Sequence, residues 1–153
     1  MRHEQGFTLI EIMIVIALIA VIASIGIPNF REATQTNRLV ATTNALLGGL
    51  QYARSEAITQ RTTITVCPSA VGANACIPST DWSTGVLVMR GNDVLRVIDT
   101  TNNDVIITST LLSLAYQGSG TTQAATLTVS NNTTSRTINV NIIGQACSGN
   151  SCP

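Results

Sequence analysis

Gly6-Phe7-Thr8-Leu9-Ile10-Glu11 opens an apolar run that continues to Ile27 and meets Pro28, and between Phe7 and Ile27 the only charged side chain is Glu11. As a helix rising about 1.5 Å per residue, that run reaches roughly 30 Å, the thickness of a bilayer's hydrocarbon core. A secretory signal peptide has a shorter apolar core with a small-x-small cleavage site after it. Here the leader-like piece is the polar stretch Met1 to Gly6, ahead of the run. The apolar segment is therefore expected to stay in the protein as a single span. Arg2, His3 and the free amine precede it and the first arginine after it is Arg31, which favours a cytoplasmic N-terminus and puts everything beyond Pro28 on the other side of the membrane.

Glu11 is out of place in such a segment. A carboxylate in a spanning helix costs on the order of 2.5–3.5 kcal/mol, less near the interface, so either it is solvated at the helix end or it has a partner. Pro28 also has two readings. Proline lacks the N–H that continues a helix, so it either ends the helix or kinks it. The kink is the expectation, because Arg31 to Gln60 keeps helical spacing: Leu39, Leu46 or Leu47, Leu50, Ala53 and Ala57 or Ile58 recur three or four apart. Gly48 and Gly49 weaken that helix by about 1 kcal/mol each, a tolerable cost where a sheet packs closely.

Beyond Gln60 the period changes to two and β-branched residues take over. Thr62 to Cys67, Gly85 to Arg90, Asp93 to Ile98, Val105 to Thr110, Ala125 to Ser130 and Arg136 to Ile143 read as strands, with Gly91-Asn92-Asp93 as a hairpin turn. Residues 117–135, rich in Gly, Thr, Asn and Ser, are expected to contain a mobile loop. The predicted fold is α+β: a long N-terminal helix, its first half membrane-spanning, packed on an antiparallel β-sheet head domain.

The eight arginines balance eight acidic residues and there is no lysine, so the chain has no overall basic or acidic field. Cys67, Cys76, Cys147 and Cys152 all lie beyond the apolar segment, and an even count in an exported chain favours two disulfides, sequential pairing being the simplest of three connectivities. Zinc is the competing reading, but it wants tighter Cys-x-x-Cys pairs or histidines, and His3 sits in the leader. No metal or cofactor is expected. No Ser/His or Cys/His pair and no phosphate-binding glycine loop is present to support an enzyme.

Gly-Phe-Thr-Leu-Ile-Glu after a short basic leader, with Pro28 closing the run, resembles the N-terminal signal of type IV pilins and type II secretion pseudopilins. The resemblance implies cutting between Gly6 and Phe7 by the prepilin peptidase, N-methylation of Phe7, and a Glu11 that neutralises a neighbouring subunit's amine in the filament. The domains that follow from it are a cleaved leader at 1–6, a transmembrane and filament-core helix at 7–28, and a head at 29–153 that includes the second half of the helix. Ala53-Arg54-Ser55-Glu56-Ala57-Ile58, Thr65-Val66-Cys67-Pro68-Ser69 and Asp81-Trp82-Ser83-Thr84-Gly85-Val86-Leu87-Val88 resemble segments of the GspH/FimT family. For Arg54 and Glu56 that suggests a packing or intersubunit role beside the plainer reading as solvated helix charges. Trp82 reads as a core anchor at the sheet's edge.

The family contains three functional classes. One is the minor pilin that primes or caps a type IV pilus, with the major pilin, other minor pilins, the inner-membrane assembly platform and membrane lipid as partners. The second is the type II secretion pseudopilin H. The third is a DNA-binding pilin for natural transformation, which needs clustered cations. Here the C-terminal stretch Gly144 to Pro153 carries no positive charge, leaving Arg90, Arg96 and Arg136 as candidate DNA contacts. The Cys147 to Cys152 loop is similar to those of minor pilins and tips the expectation towards the first class. The protein is expected in the bacterial inner membrane and then in a pilus or pseudopilus.

Overall fold

The computed structural model describes residues 8–100 and 104–149, except for the side chain of Pro28. The expected cleavage point between Gly6 and Phe7 lies outside them, as does Cys152. Among the described residues one helix, α1 (Leu9–Gln60), precedes eight strands: β1 (Ile64–Pro68), β2 (Val86–Arg90), β3 (Asp93–Ile98), β4 (Ile106–Ser109), β5 (Leu114–Tyr116), β6 (Ala125–Ser130), β7 (Ser135–Val140) and β8 (Ala146–Ser148). Contacts divide the chain into two compact units, Met1–Gln35 and Thr36–Pro153.

In the first unit, Thr8 starts the helix. Its Oγ1 accepts from the N–H of Glu11 at 3.3 Å, so Thr8 and Glu11 stand at the two positions of a Thr-x-x-Glu capping sequence. The helix does not stop at position 28. Pro28 has no N–H to offer the preceding turn. Close by, the Asn29 side chain donates to the carbonyl of Ile25 at 3.1 Å.

In the second unit, the helix turns one seam inward. Leu39, Thr43, Leu46, Leu50, Ala53 and Ala57 are buried, alternating steps of four and three, while Ile58 faces solvent. The helix ends at Gln60 because Arg61 takes a left-handed φ of 50°, letting the N–H of Thr62 reach back to the carbonyl of Ala57 at 3.2 Å.

The strands form two antiparallel four-stranded sheets rather than one, with orders β3-β2-β1-β5 and β4-β6-β7-β8. The inward faces of both sheets share one core with the helix seam, including Ile64, Val66, Val88 and Leu114 from the first and Ile107, Leu127, Val129 and Ile138 from the second. β2 and β3 meet through the two-residue turn Gly91-Asn92, Arg90 opposite Asp93, with Gly91 at φ 57°. Trp82 bridges the sheets: its backbone N–H donates to the carbonyl of Ile107 in β4 at 2.8 Å, just before the chain enters β2. Its ring is fully buried, as expected of a core anchor.

β5 and β8 are strands that the alternation pattern does not mark, being three residues each. The loop expected in 117–135 resolves into two hydrogen-bonded turns around β6. In one, Gln117 N–H donates to Thr121 O at 2.8 Å; in the other, Asn131 Oδ1 accepts from the N–H groups of Thr133 and Thr134 at 3.0 and 2.7 Å.

The two helix glycines differ. A Cβ on Gly48 meets nothing, whereas one on Gly49 overlaps the side chain of Ile98, the last residue of β3. Close approach of a strand therefore accounts for Gly49 alone. Gly48→Ala should stabilise the protein by about 0.5–1 kcal/mol through helix propensity and a less flexible unfolded chain. Gly49→Ala should lose that gain to overpacking of about 1–3 kcal/mol. Chemical unfolding followed by the lone Trp82 tests the difference; equal midpoints for the two variants would refute the close-approach account.

Candidate functional site

The first unit presents one chemical feature. Every large apolar side chain from Leu9 to Ile27 is exposed, on all sides of the helix: Ile10 67%, Ile14 56%, Leu18 59% and Ile22 71% are representative. A soluble helix carries an apolar stripe, whereas one apolar all round belongs in lipid or in a protein core. The stretch is long and apolar enough to cross a membrane. Glu11 lies within its first turn.

The three arginines considered for DNA are not one cluster. Arg90 and Arg96 stand on β2 and β3, whereas Arg136 is on β7 in the other sheet. Arg90 Nη1 donates to Gln60 Oε1 at 2.6 Å and Nη2 pairs with Asp93 Oδ2 at 3.3 Å. Arg96 lies over the ring of Tyr52, 5.5 Å from its centroid. Tyr52 donates to Glu56 Oε1 at 3.2 Å, and Gln60 Nε2 donates to Glu56 Oε2 at 3.0 Å. Burial, with help from Glu56, raises the Tyr52 pKa above its ordinary value. Tyr52, Glu56 and Gln60 occupy successive turns of α1, so a polar ladder runs from Arg96 to Arg90 and fastens the helix to the β2–β3 hairpin. Glu56 is thus more than a solvated helix charge, a role that needs the β2–β3 hairpin beside it and so is invisible in the helix sequence. A second tie joins Arg38 Nη1 to Asp104 Oδ2 at 2.6 Å.

Arg54 projects to a different place. Its Nε donates to the carbonyl of Gly120, in the turn after β5, at 3.3 Å. Tyr116 of β5 is fully buried, and its hydroxyl has no hydrogen-bond partner among the described residues. Burial raises its pKa, with the Arg54 charge opposing.

Cys67 and Cys76 form a disulfide, as sequential pairing anticipates. Met89 of β2 packs on it, its Sδ 3.4 Å from Cys76 Sγ and 4.0 Å from Cys67 Sγ. This patch, with Leu87, buries the face of β2 that points away from the helix and explains why four of the five residues of that strand are buried. Cys147 is disulfide-bonded as well.

A long N-terminal helix, apolar all round at its start and packed at its end on antiparallel sheets, defines a pilin-like protein of the α+β class. Its fold is similar to the crystal structure of the type IV minor pilin FimU of Pseudomonas aeruginosa, with TM-score 0.60 and 21% identity over 74% of this chain and 90% of that one. The chain belongs to the GspH family: the model for the type II transport protein GspH matches residues 42–144, and the prokaryotic N-terminal methylation motif matches residues 1–27. Relatives include a fimbrial protein of Pseudomonas aeruginosa, 45% identical over 30% of this chain, and the type II secretion system core protein G of Klebsiella pneumoniae, 40% identical over 33%. The chain spans 32% and 38% of the lengths of those two relatives.

Proposed function

We propose that this chain is a non-enzymatic minor pilin. The peptidase cuts between Gly6 and Phe7, Phe7 is N-methylated, and residues 7–28 anchor the protein in the inner membrane with the N-terminus cytoplasmic. The head, residues 29–153, stays outside until the chain joins a type IV pilus, priming or capping its assembly. The observation that carries this reading is the helix from Leu9 to Ile27, apolar all round with every large apolar side chain exposed, a surface that is stable only in lipid or among other such helices. The match of the methylation motif to residues 1–27 supports the processing step.

A pseudopilin of a type II secretion system is the second reading, favoured by the GspH family match and by the core protein G relative. DNA binding has less support, since Arg90 and Arg96 are engaged by Asp93, Gln60 and Tyr52. Mass spectrometry of the sheared filament fraction should find a methyl-Phe7 N-terminus, and Gly6→Ala should accumulate uncut chain. A Met1 terminus in assembled material would remove the assignment. Deletion of the gene, scored for piliation, secretion and transformation side by side, separates the three roles: lost pili support the first, and intact pili with lost secretion or lost transformation support the second or third.

A further inference from the structure

Arg54 stands in a groove of about 530 Å³ between the second half of α1 and the turn that leads from β7 into β8. Gln51, Ser55 and Ile58 line the helix side, and Gly144 and Gln145 the other. Among the described residues no acidic side chain lines it. Two glycines let the backbone close in on Arg54, Gly144 in the groove wall and Gly120 beside it. Gly120 and Gly144 have φ of +83° and +80°, and a Cβ on Gly120 would press on Ile58, one on Gly144 on the Gly120 carbonyl and Arg54 Nε. The backbone therefore comes close enough to hold Nε against the Gly120 carbonyl. Among the described residues the guanidinium has no other hydrogen bond and no ion pair. A half-buried arginine thus lines the groove with its Nε held and its two terminal nitrogens uncommitted among the described residues, and such a guanidinium is a fork suited to a bidentate anion. Exposed Ile58 adds apolar surface on the helix side, and exposed Ile142 and Ile143 immediately precede Gly144 in the chain.

We infer that this groove receives the carboxylate of an Asp or Glu side chain, flanked by an apolar residue, from a neighbouring pilin subunit. One cation amid isoleucines suits a single carboxylate on a protein surface. A nucleic-acid backbone asks for several cations in a row, and Arg90 and Arg96 on the β2–β3 hairpin are tied to the helix. A fork fixed at Nε gives the contact a defined orientation, so the groove sets register between heads as well as affinity. The inference rests on the filament reading.

The test is photo-cross-linking in cells making the full chain, with a benzophenone amino acid at Ser55 and, as a control, at Ile16 in the apolar segment. The expected result is a Ser55 adduct that maps to a peptide with an Asp or Glu in a methylated pilin-type chain. Its yield should fall at least tenfold in Arg54→Glu and recover when the mapped acidic residue is changed to arginine. Gln145→Glu, which leaves Arg54 and its Gly120 bond in place, should also lower the yield by offering the fork an internal carboxylate. A far-ultraviolet circular dichroism spectrum and an unfolding midpoint matching the parent's show that each variant is folded. An adduct unaffected by Arg54→Glu and Gln145→Glu overturns the inference, as does an adduct to DNA or to residues 150–153 of the same chain. If Ile16 cross-links to pilins while Ser55 does not, the groove inference fails alone; if neither does, the filament reading fails.

Discussion

Glu11→Ala should be exported, cut and methylated normally, yet enter filaments at least tenfold less than the parent. The carboxylate lies in the first turn of an otherwise apolar helix, where its desolvation costs about 2.5–3.5 kcal/mol unless a cation meets it. In a bundle of such helices the methylated amine of Phe7 on a neighbour is a fitting cation, and losing one member of a buried pair costs about 3–5 kcal/mol. Even a partly realised coupling of 1.4 kcal/mol is a factor of about ten. The structural alternative, that Glu11 merely starts the helix, predicts little change, because the bond to Thr8 is made by the backbone N–H, which alanine also has. The ratio of methyl-Phe7 protein in sheared filaments to that in membranes distinguishes the two. Parental incorporation would refute the pairing account and leave the Glu11 carboxylate without a part in assembly.

Trp82→Ala should cost the head about 3–5 kcal/mol. Its ring is fully buried and it lies on the segment that pairs with β4 before the chain passes into β2, so truncation opens a cavity where the two sheets are joined. Domains of this kind hold only about 5–15 kcal/mol in all, and much of that would go. Trp82→Phe should lose roughly half as much, since it fills most of the space and also removes an indole N–H that has no partner among the described residues. Chemical unfolding by far-ultraviolet circular dichroism gives both values. A Trp82→Ala midpoint close to the parent's would show that the sheets do not depend on this anchor.

The sequence marks local regularities and conceals the contacts made between distant segments. The helix seam from Leu39 to Ala57 and the turn at Gly91-Asn92 are visible because their spacing and residue types are set locally. β5 and β8 escape notice because three residues hold too little alternation, and because the pairing of β5 is fixed by β1, which is far away in sequence. The division into two sheets is equally non-local: β4 follows β3 in the chain but pairs with β6. For this reason Arg136 is separated from Arg90 and Arg96 despite a similar strand pattern. Arg54 looks like an ordinary helix charge until the turns bearing Gly120 and Gly144 fold against it.

The exposed apolar stretch from Leu9 to Ile27 also has no preferred side. Glu11 apart, rotating such a helix about its own axis changes little in what it offers, so its aliphatic residues set no orientation of their own. Substituting one isoleucine there for another aliphatic residue should matter about equally at every azimuth. In the filament reading, so uniform a surface could not tell one neighbour from another, and that discrimination would fall to the individually contoured head.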